Sequence, residues 1–167
     1  MDIKVINPLI LAFTEVLPKI GFQSIERKGL SLVGPTLNYN GVLVNISLVG
    51  SLKGSILIGM SEESAKIFAS KMMMGMPVTN FDPMAQSAIS EMGNMVCANT
   101  CTQFSKVGIH GLDISPPALL IGNNGQAVLS APQTIAIQFY VDGLEIHVYV
   151  GLVEEQLFRN KKVNCNG

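Results

Sequence analysis

The chain has 167 residues, 48% of them apolar and 14% charged, which provides for one sizeable core and excludes intrinsic disorder, a state that needs low hydrophobicity and high net charge. A formal net charge of −1, from 11 basic and 12 acidic residues, gives no general pull toward nucleic acid or anionic lipid. No run approaches the ~20 apolar residues of a membrane span, the opening MDIKVINPLI is too short and too early charged for a signal peptide, and an odd count of 3 cysteines fits a reducing compartment. The expectation is a single cytoplasmic domain over residues 1–155, followed by a flexible basic tail over 156–167 that carries Arg159, Lys161 and Lys162.

Along the chain, Val5, Leu9, Ala12, Phe13 and Val16 fall at helical spacing between Asp2 and Leu17. Pro18 is expected to stop that helix and Gly21 to release the chain. Residues 22–36, punctuated by Gly29, Gly34 and Pro35, read as one short edge strand. Asn40-Gly41 carries a type I′ hairpin signal. Val42, Val44, Ile46 and Leu48 then alternate with Leu43, Asn45, Ser47 and Val49, a strand that turns at Gly50-Ser51 and returns from Leu52 to Gly59.

Ser61 is the expected N-cap of a helix that opens on Glu62 and Glu63 and ends near Met74, before Gly75 and Pro77. Asp82-Pro83 opens the longest helix, a cap followed by proline at the first helical position, and it runs to about Val107 before Gly108. Pro116 to Ile121 reads as a strand ended by Asn123-Asn124-Gly125. Ile135, Ile137, Phe139 and Val141 alternate in a further strand, which turns at Asp142-Gly143 and returns from Leu144 to Leu152.

The two halves look alike. Ile46-Ser47-Leu48-Val49, a turn, and Leu52 to Ile58-Gly59 match Ile137-Gln138-Phe139-Tyr140, a turn, and Leu144 to Val150-Gly151. Each hairpin accompanies a long amphipathic helix. That order predicts a duplicated α/β unit of the α+β type, an antiparallel sheet of about six strands with three main helices on it.

The long helix is the informative segment. At ~100° per residue, Ala85, Ile89, Met92 and Val96 form its buried stripe, while Glu91 and Asn94 sit on nearly the opposite side. Ser87, Ser90, Ala98 and Cys101, all small, flank that pair. Ser90, Asn94, Asn99 and Thr100 are poor helix formers, and a helix that gives up local propensity in this way marks a candidate functional face. Taken alone, Glu-x-x-Asn on a helix is an ordinary solvated pair.

The segment Ser87-Ala88-Ile89-Ser90-Glu91-Met92-Gly93-Asn94-Met95, after Asp82-Pro83, resembles the signature helix of the CheC/CheX/FliY chemotaxis phosphatase family. Val5-Ile6-Asn7-Pro8-Leu9, the hairpin from Gly50 to Gly59, Met72-Met73-Met74-Gly75-Met76 and Asp113-Ile114-Ser115-Pro116-Pro117 are similar to further stretches of CheX-like members. The likeness runs in register over roughly residues 3–152.

It implies a CheC/CheX-like pseudo-duplicated fold and hydrolysis of the phosphoaspartate of a CheY-type response regulator, in chemotaxis or related two-component signalling. Carried over, Glu91 pairs with a lysine of the regulator and Asn94 orients the attacking water, as a glutamine does in some GTPases. Ser87, Ser90, Ala98 and Cys101 are the implied partner-binding positions. The chain needs no cofactor of its own on this reading, and Mg2+ belongs to the partner regulator. CheC-type members carry the Glu-x-x-Asn pattern on both long helices. Here the first helix reads Glu15-Val16-Leu17-Pro18, the CheX-like arrangement, which implies a single site and a homodimer.

Two rival functions are a non-catalytic flagellar-switch or adaptor module of the same fold, disfavoured by the intact Glu91/Asn94 pair, and a metal enzyme using Cys97, Cys101 and His110. The metal reading lacks the further Cys or His ligands of a zinc site. Cys165 in the tail is expected to be inert, and His147 to be a surface or edge residue. The Met72–Met76 cluster is expected to be core plus a helix end rather than an adaptable partner surface.

Overall fold

A computed structural model describes residues 3–154; the basic tail expected at 156–167, with Cys165, lies outside them. Helix α1 (Ile3–Ile20) leads into β1 (Ile25–Val33), β2 (Thr36–Val49) and β3 (Leu52–Met60). Helices α2 (Glu62–Met72) and α3 (Pro83–Lys106) follow, then β4 (Asp113–Ile114), β5 (Ala118–Val128), β6 (Thr134–Val141) and β7 (Leu144–Glu154). The 7 strands make one antiparallel sheet in the order β1-β6-β7-β3-β2-β4, with β5 also on β2.

The expected alternation places the core. Val42, Val44, Ile46 and Leu48 of β2, Ile56 and Ile58 of β3, and the corresponding residues of β6 and β7 are buried against the three helices. Phe13 of α1 stacks on Phe139 of β6 with ring centroids 4.8 Å apart, a geometry that adds to simple burial. The strand residues between them point to the other face, where Leu37, Leu43, Leu57 and Leu129 form a smaller cluster.

The repeat is visible in the pairing. The two hairpins meet along β3 and β7, with Leu57 opposite Tyr149. Ile58, which the repeat equates with Val150, pairs with Val148, and Ile56 pairs with Val150. The pairing is therefore symmetric about the Leu57/Tyr149 position, as two copies of one hairpin placed edge to edge require. The turn at Asp142-Gly143 has positive φ at both residues, 47° and 81°, as a type I′ turn demands. The Asp142 carboxylate accepts from the backbone N–H groups of Gln23 and Ser24 (2.7 Å to Ser24), fixing the start of β1.

Three local readings are corrected. The first helix does not stop at Pro18: it runs to Ile20 and closes with Phe22 N–H on the Leu17 carbonyl and Gly21 N–H on that of Pro18. Gly21, at φ 119°, completes this Schellman ending, and Pro18 only forgoes one donor. Asn40-Gly41 is not a hairpin turn, and Asn123-Asn124-Gly125 does not end a strand. Both lie inside long strands, β2 and β5, which pair through a register shift between Tyr39 and Gly41. Asn124, at φ 54°, donates its N–H to Asn40 Oδ1 at 2.7 Å. The positive-φ residues serve a β-bulge, and Gly41 lies where a Cβ would stand 2.6 Å from the Met60 carbonyl oxygen. The Met72–Met76 segment divides: Met72 packs on the core, whereas Met74 and Met76 are exposed.

The seam between the halves is also testable. Gly54, on β3, has φ 149°, and a Cβ there would run into the carbonyl oxygen of Gly151 on β7. Gly54→Ala is expected to cost about 1–3 kcal/mol of stability, read as a lower urea midpoint. An unchanged midpoint would show that this crossing tolerates a side chain.

Candidate functional site

Helix α3 carries the candidate site because its start and one flank are fixed. Asp82 caps it, accepting the Ala85 N–H at 2.9 Å, with Pro83 in the first turn, a cap that contributes about 1 kcal/mol. Ala85, Ile89, Met92 and Val96 are fully buried, as the periodicity predicts. Gly93 is buried between the candidate residues and faces β2. A Cβ on it would stand 2.8 Å from Val44 Cγ1 and 3.4 Å from Ile46 Cδ1. Glycine inside a helix costs about 1 kcal/mol relative to alanine; here it lets α3 lie directly on the sheet.

The opposite flank of α3 borders a groove of about 730 Å³. Pro83, Gln86, Ser87, Ser90, Glu91 and Asn94 form one wall. The segment from Ile114 to Pro117, with Leu119, forms the other. Glu91 is exposed and Asn94 half-buried. Among the described residues neither side chain has a hydrogen-bonding partner, while Gln86 is occupied, donating to the Phe81 carbonyl at 3.0 Å. The groove thus presents an unengaged carboxylate and an unengaged carboxamide one helical turn apart.

Of the sequence-predicted positions, Ser87, Ser90, Glu91 and Asn94 come together in this groove. Ala98 is exposed further along α3, and Cys101 is half-buried against the core; neither lines it. Burial, with a smaller contribution from Asp113, raises the Cys101 thiol pKa. Burial pushes that of Cys97 up to about 12. Burial thus favours the neutral thiol at both positions. Among the described residues no group of three or more His, Cys, Asp or Glu side chains is placed to hold a metal ion. His147 sits on β7, within the sheet, and contacts Glu145 at 2.7 Å.

Sequence reasoning missed the second wall and the role of Gly93. The Asp113–Pro117 stretch was conspicuous for its two prolines, but only the tertiary fold sets it across from α3. It also missed a contrast along the helix. Further down α3, Asn99 and Gln103 bond to each other and to the Glu15 carboxylate of α1 (2.9 Å from Gln103).

Comparison with known proteins assigns the chain to a family. A family model for the chemotaxis phosphatase CheX matches residues 42–140, a span that includes both Glu91 and Asn94. A CheY-P phosphatase CheX from Thermotoga maritima is 30% identical over 125 residues, 74% of this chain and 79% of that protein. The chain belongs to the CheX family. A CheC-like superfamily protein from Shewanella sp. PV-4 shares the fold, with a TM-score of 0.80 at 21% identity over 92% of this chain and 99% of that one. The CheX chain of a CheX-CheY-BeF3-Mg2+ complex from Borrelia burgdorferi gives a TM-score of 0.72 at 29% identity, over 89% and 97% of the two chains. Among the described residues, no helix of this CheX-family chain is long and apolar enough to cross a membrane.

The seating of α3 makes a sharp prediction. Gly93→Ala gains helix propensity, but its methyl enters the space of Val44. The substitution is expected to destabilise the protein by about 1–3 kcal/mol, the usual cost of overpacking. A urea midpoint at or above the parent value would mean that the helix has room to spare.

Proposed function

We propose that this chain hydrolyses the phosphoaspartate of a CheY-type response regulator, with Glu91 and Asn94 as the working pair. One observation carries the reading: Glu91 and Asn94, which border the groove on adjacent turns of α3, both lack a hydrogen-bonding partner among the described residues. The kinship with CheY-P phosphatases gives that pair its substrate class.

An acyl phosphate is already activated, so its hydrolysis needs positioning more than a strong base. Water oxygen attacks phosphorus as the bond from phosphorus to the aspartyl oxygen breaks. The products are a free carboxylate and inorganic phosphate, and the proton shed by the water is taken up by phosphate and solvent. A carboxamide is far too weak a base to take the proton, but it holds a water in line through its oxygen and its NH2 group. Asn94 has that role. Glu91, exposed beside it, offers a carboxylate to a lysine of the regulator and so fixes where the helix sits.

The small Ser87 and Ser90 let the partner come close to the helix. Ala98 lies exposed beyond the groove, and on this reading it would meet the rim of the partner; Cys101, packed against the core, would contribute less. The regulator's Mg2+, when bound, supplies neutralisation of the phosphoryl oxygens; in the Borrelia burgdorferi complex that ion accompanies CheY and BeF3. The CheX-like character of the sequence further supports a cytoplasmic homodimer, for which sedimentation velocity is the direct measurement, a monomer mass at micromolar concentration being the contrary result.

Two substitutions separate the roles. Asn94→Ala should leave folding and regulator affinity near the parent values while turnover falls by about 10²-fold or more, the scale expected when one positioned water carries the step. Phosphate release from a phosphorylated regulator measures it, and a parental rate would remove Asn94 from the mechanism. Glu91→Lys should weaken association by placing like charges together. Unchanged affinity would mean that α3 does not dock at the regulator's lysine.

A further inference from the structure

The groove has two chemically different walls. That of α3 carries the polar pair. The other is apolar apart from Ser115: Ile114, Pro116, Pro117 and Leu119 line it, and all four but Pro116 are half-buried rather than fully exposed. Two successive prolines have fixed φ and no N–H to satisfy. The residue before each proline is held to extended conformations, so Ser115 and Pro116 are restricted as well.

Ser115 ties this stiff segment to the sheet. Its Oγ accepts the Ser47 N–H at 2.9 Å, and its own N–H donates to the Ser47 carbonyl at 2.9 Å. Its hydroxyl then donates to the Pro116 carbonyl at 3.2 Å. Beside it Ile114 pairs with Leu48. Ser47 belongs to the same strand whose Val44 and Ile46 lie under Gly93. One strand therefore sets the positions of both walls: backbone pairing holds Ile114 and Leu119 on it, and the Ser115 side chain adds a tie at the start of the proline pair.

We infer that Ser115 is a positioning residue for regulator binding: it holds Pro116 and Pro117 as a preformed wall that receives an apolar side chain of the regulator beside the phosphoaspartate while the phosphoryl group meets Asn94. The inference rests on the proposed phosphatase reading and deepens it by dividing the groove into a polar half that acts on the substrate and an apolar half that seats it. A wall already ordered before binding loses little conformational freedom on contact. Its effect therefore appears in KM and in affinity rather than in turnover.

The test compares Ser115→Ala, Ser115→Thr and the double variant Pro116→Ala/Pro117→Ala with the parent. It measures steady-state hydrolysis of a phosphorylated regulator and affinity for the same regulator activated with beryllofluoride. Ser115→Ala is expected to raise KM and Kd together by ~3- to 10-fold, the scale of one lost hydrogen-bonding side chain, with kcat within about twofold. Ser115→Thr, which keeps the hydroxyl, should restore both.

The proline double variant leaves the Ser47–Ser115 bonds in place, so it probes the wall even if loss of the hydroxyl impairs folding. It should raise KM and Kd as well, and adding Ser115→Ala to it should have less effect than in the parent, because residues that act through one another are non-additive. Parental KM and Kd in both Ser115→Ala and the proline variant overturn the inference, as do a fall confined to kcat or full additivity in the cycle. Failure of the underlying reading is distinct: there the parent itself does not release phosphate, or Asn94→Ala releases it at the parental rate.

Discussion

The seating of α3 on β2 is the constraint from which the rest follows. Helices packed on sheets normally stand off by the length of the side chains between them, yet at Gly93 the helix contributes no side chain, and that of Val44 occupies the space a Cβ would need. That contact holds the helix between its cap at Asp82 and its crossing with α1. Gly93 stands between Glu91 and Asn94 in sequence, so this close contact with β2 lies within the same turn of helix as the pair. The two candidate side chains both stand on one helix, so their mutual geometry is that of the helix itself. Its position comes from the packing beneath it, and interiors packed at crystal-like density deform little.

The polar residues of α3 divide by what satisfies them. Thr100 is fully buried and bonds back to the Val96 carbonyl at 2.8 Å. Asn99 and Gln103 share the Glu15 carboxylate across the helix seam. These groups serve the architecture, because a buried polar group without a partner costs 1–3 kcal/mol or so. Glu91 and Asn94 escape that requirement because water reaches them. They therefore stay available at little cost to stability, and a docking partner need only replace water. The same helix thus combines a fastened half near α1 with an unengaged half beside the groove.

What the sequence made legible was local. The caps at Ser61 and Asp82, the Asp142-Gly143 turn, the alternation of β2 and β6 and the buried stripe of α3 each depend on neighbours a few residues away, and each appears in the structure. The misreadings were also local signals, but ones with a non-local use. Asn40-Gly41 and Asn124 have turn chemistry because a bulge between β2 and β5 demands the same positive φ that a turn does. Pro18 reads as a stop, yet the hydrogen bonds that end the helix belong to Gly21 and Phe22. The groove was legible on one side only: spacing along α3 places Glu91 with Asn94, but nothing within the Asp113–Pro117 stretch reveals that Ser47, nearly seventy residues earlier, holds it across from them.

The repeat shows why one duplicated frame carries one such face. The paired hairpins are nearly equivalent about Leu57 and Tyr149, and each half contributes a long helix to the same side of the sheet. The helices then diverge in what their polar residues do. On α1 the acid, Glu15, is bonded by two carboxamides of the facing helix, and the position three residues on is Pro18, which has no polar atom in its side chain. On α3 the acid and the carboxamide three residues on are both unengaged among the described residues. A symmetric pair of open faces would leave the α1–α3 seam without this hydrogen-bonded link. Closing one copy supplies an inter-helix tie, and that tie helps to hold the helix on which the other copy stays open.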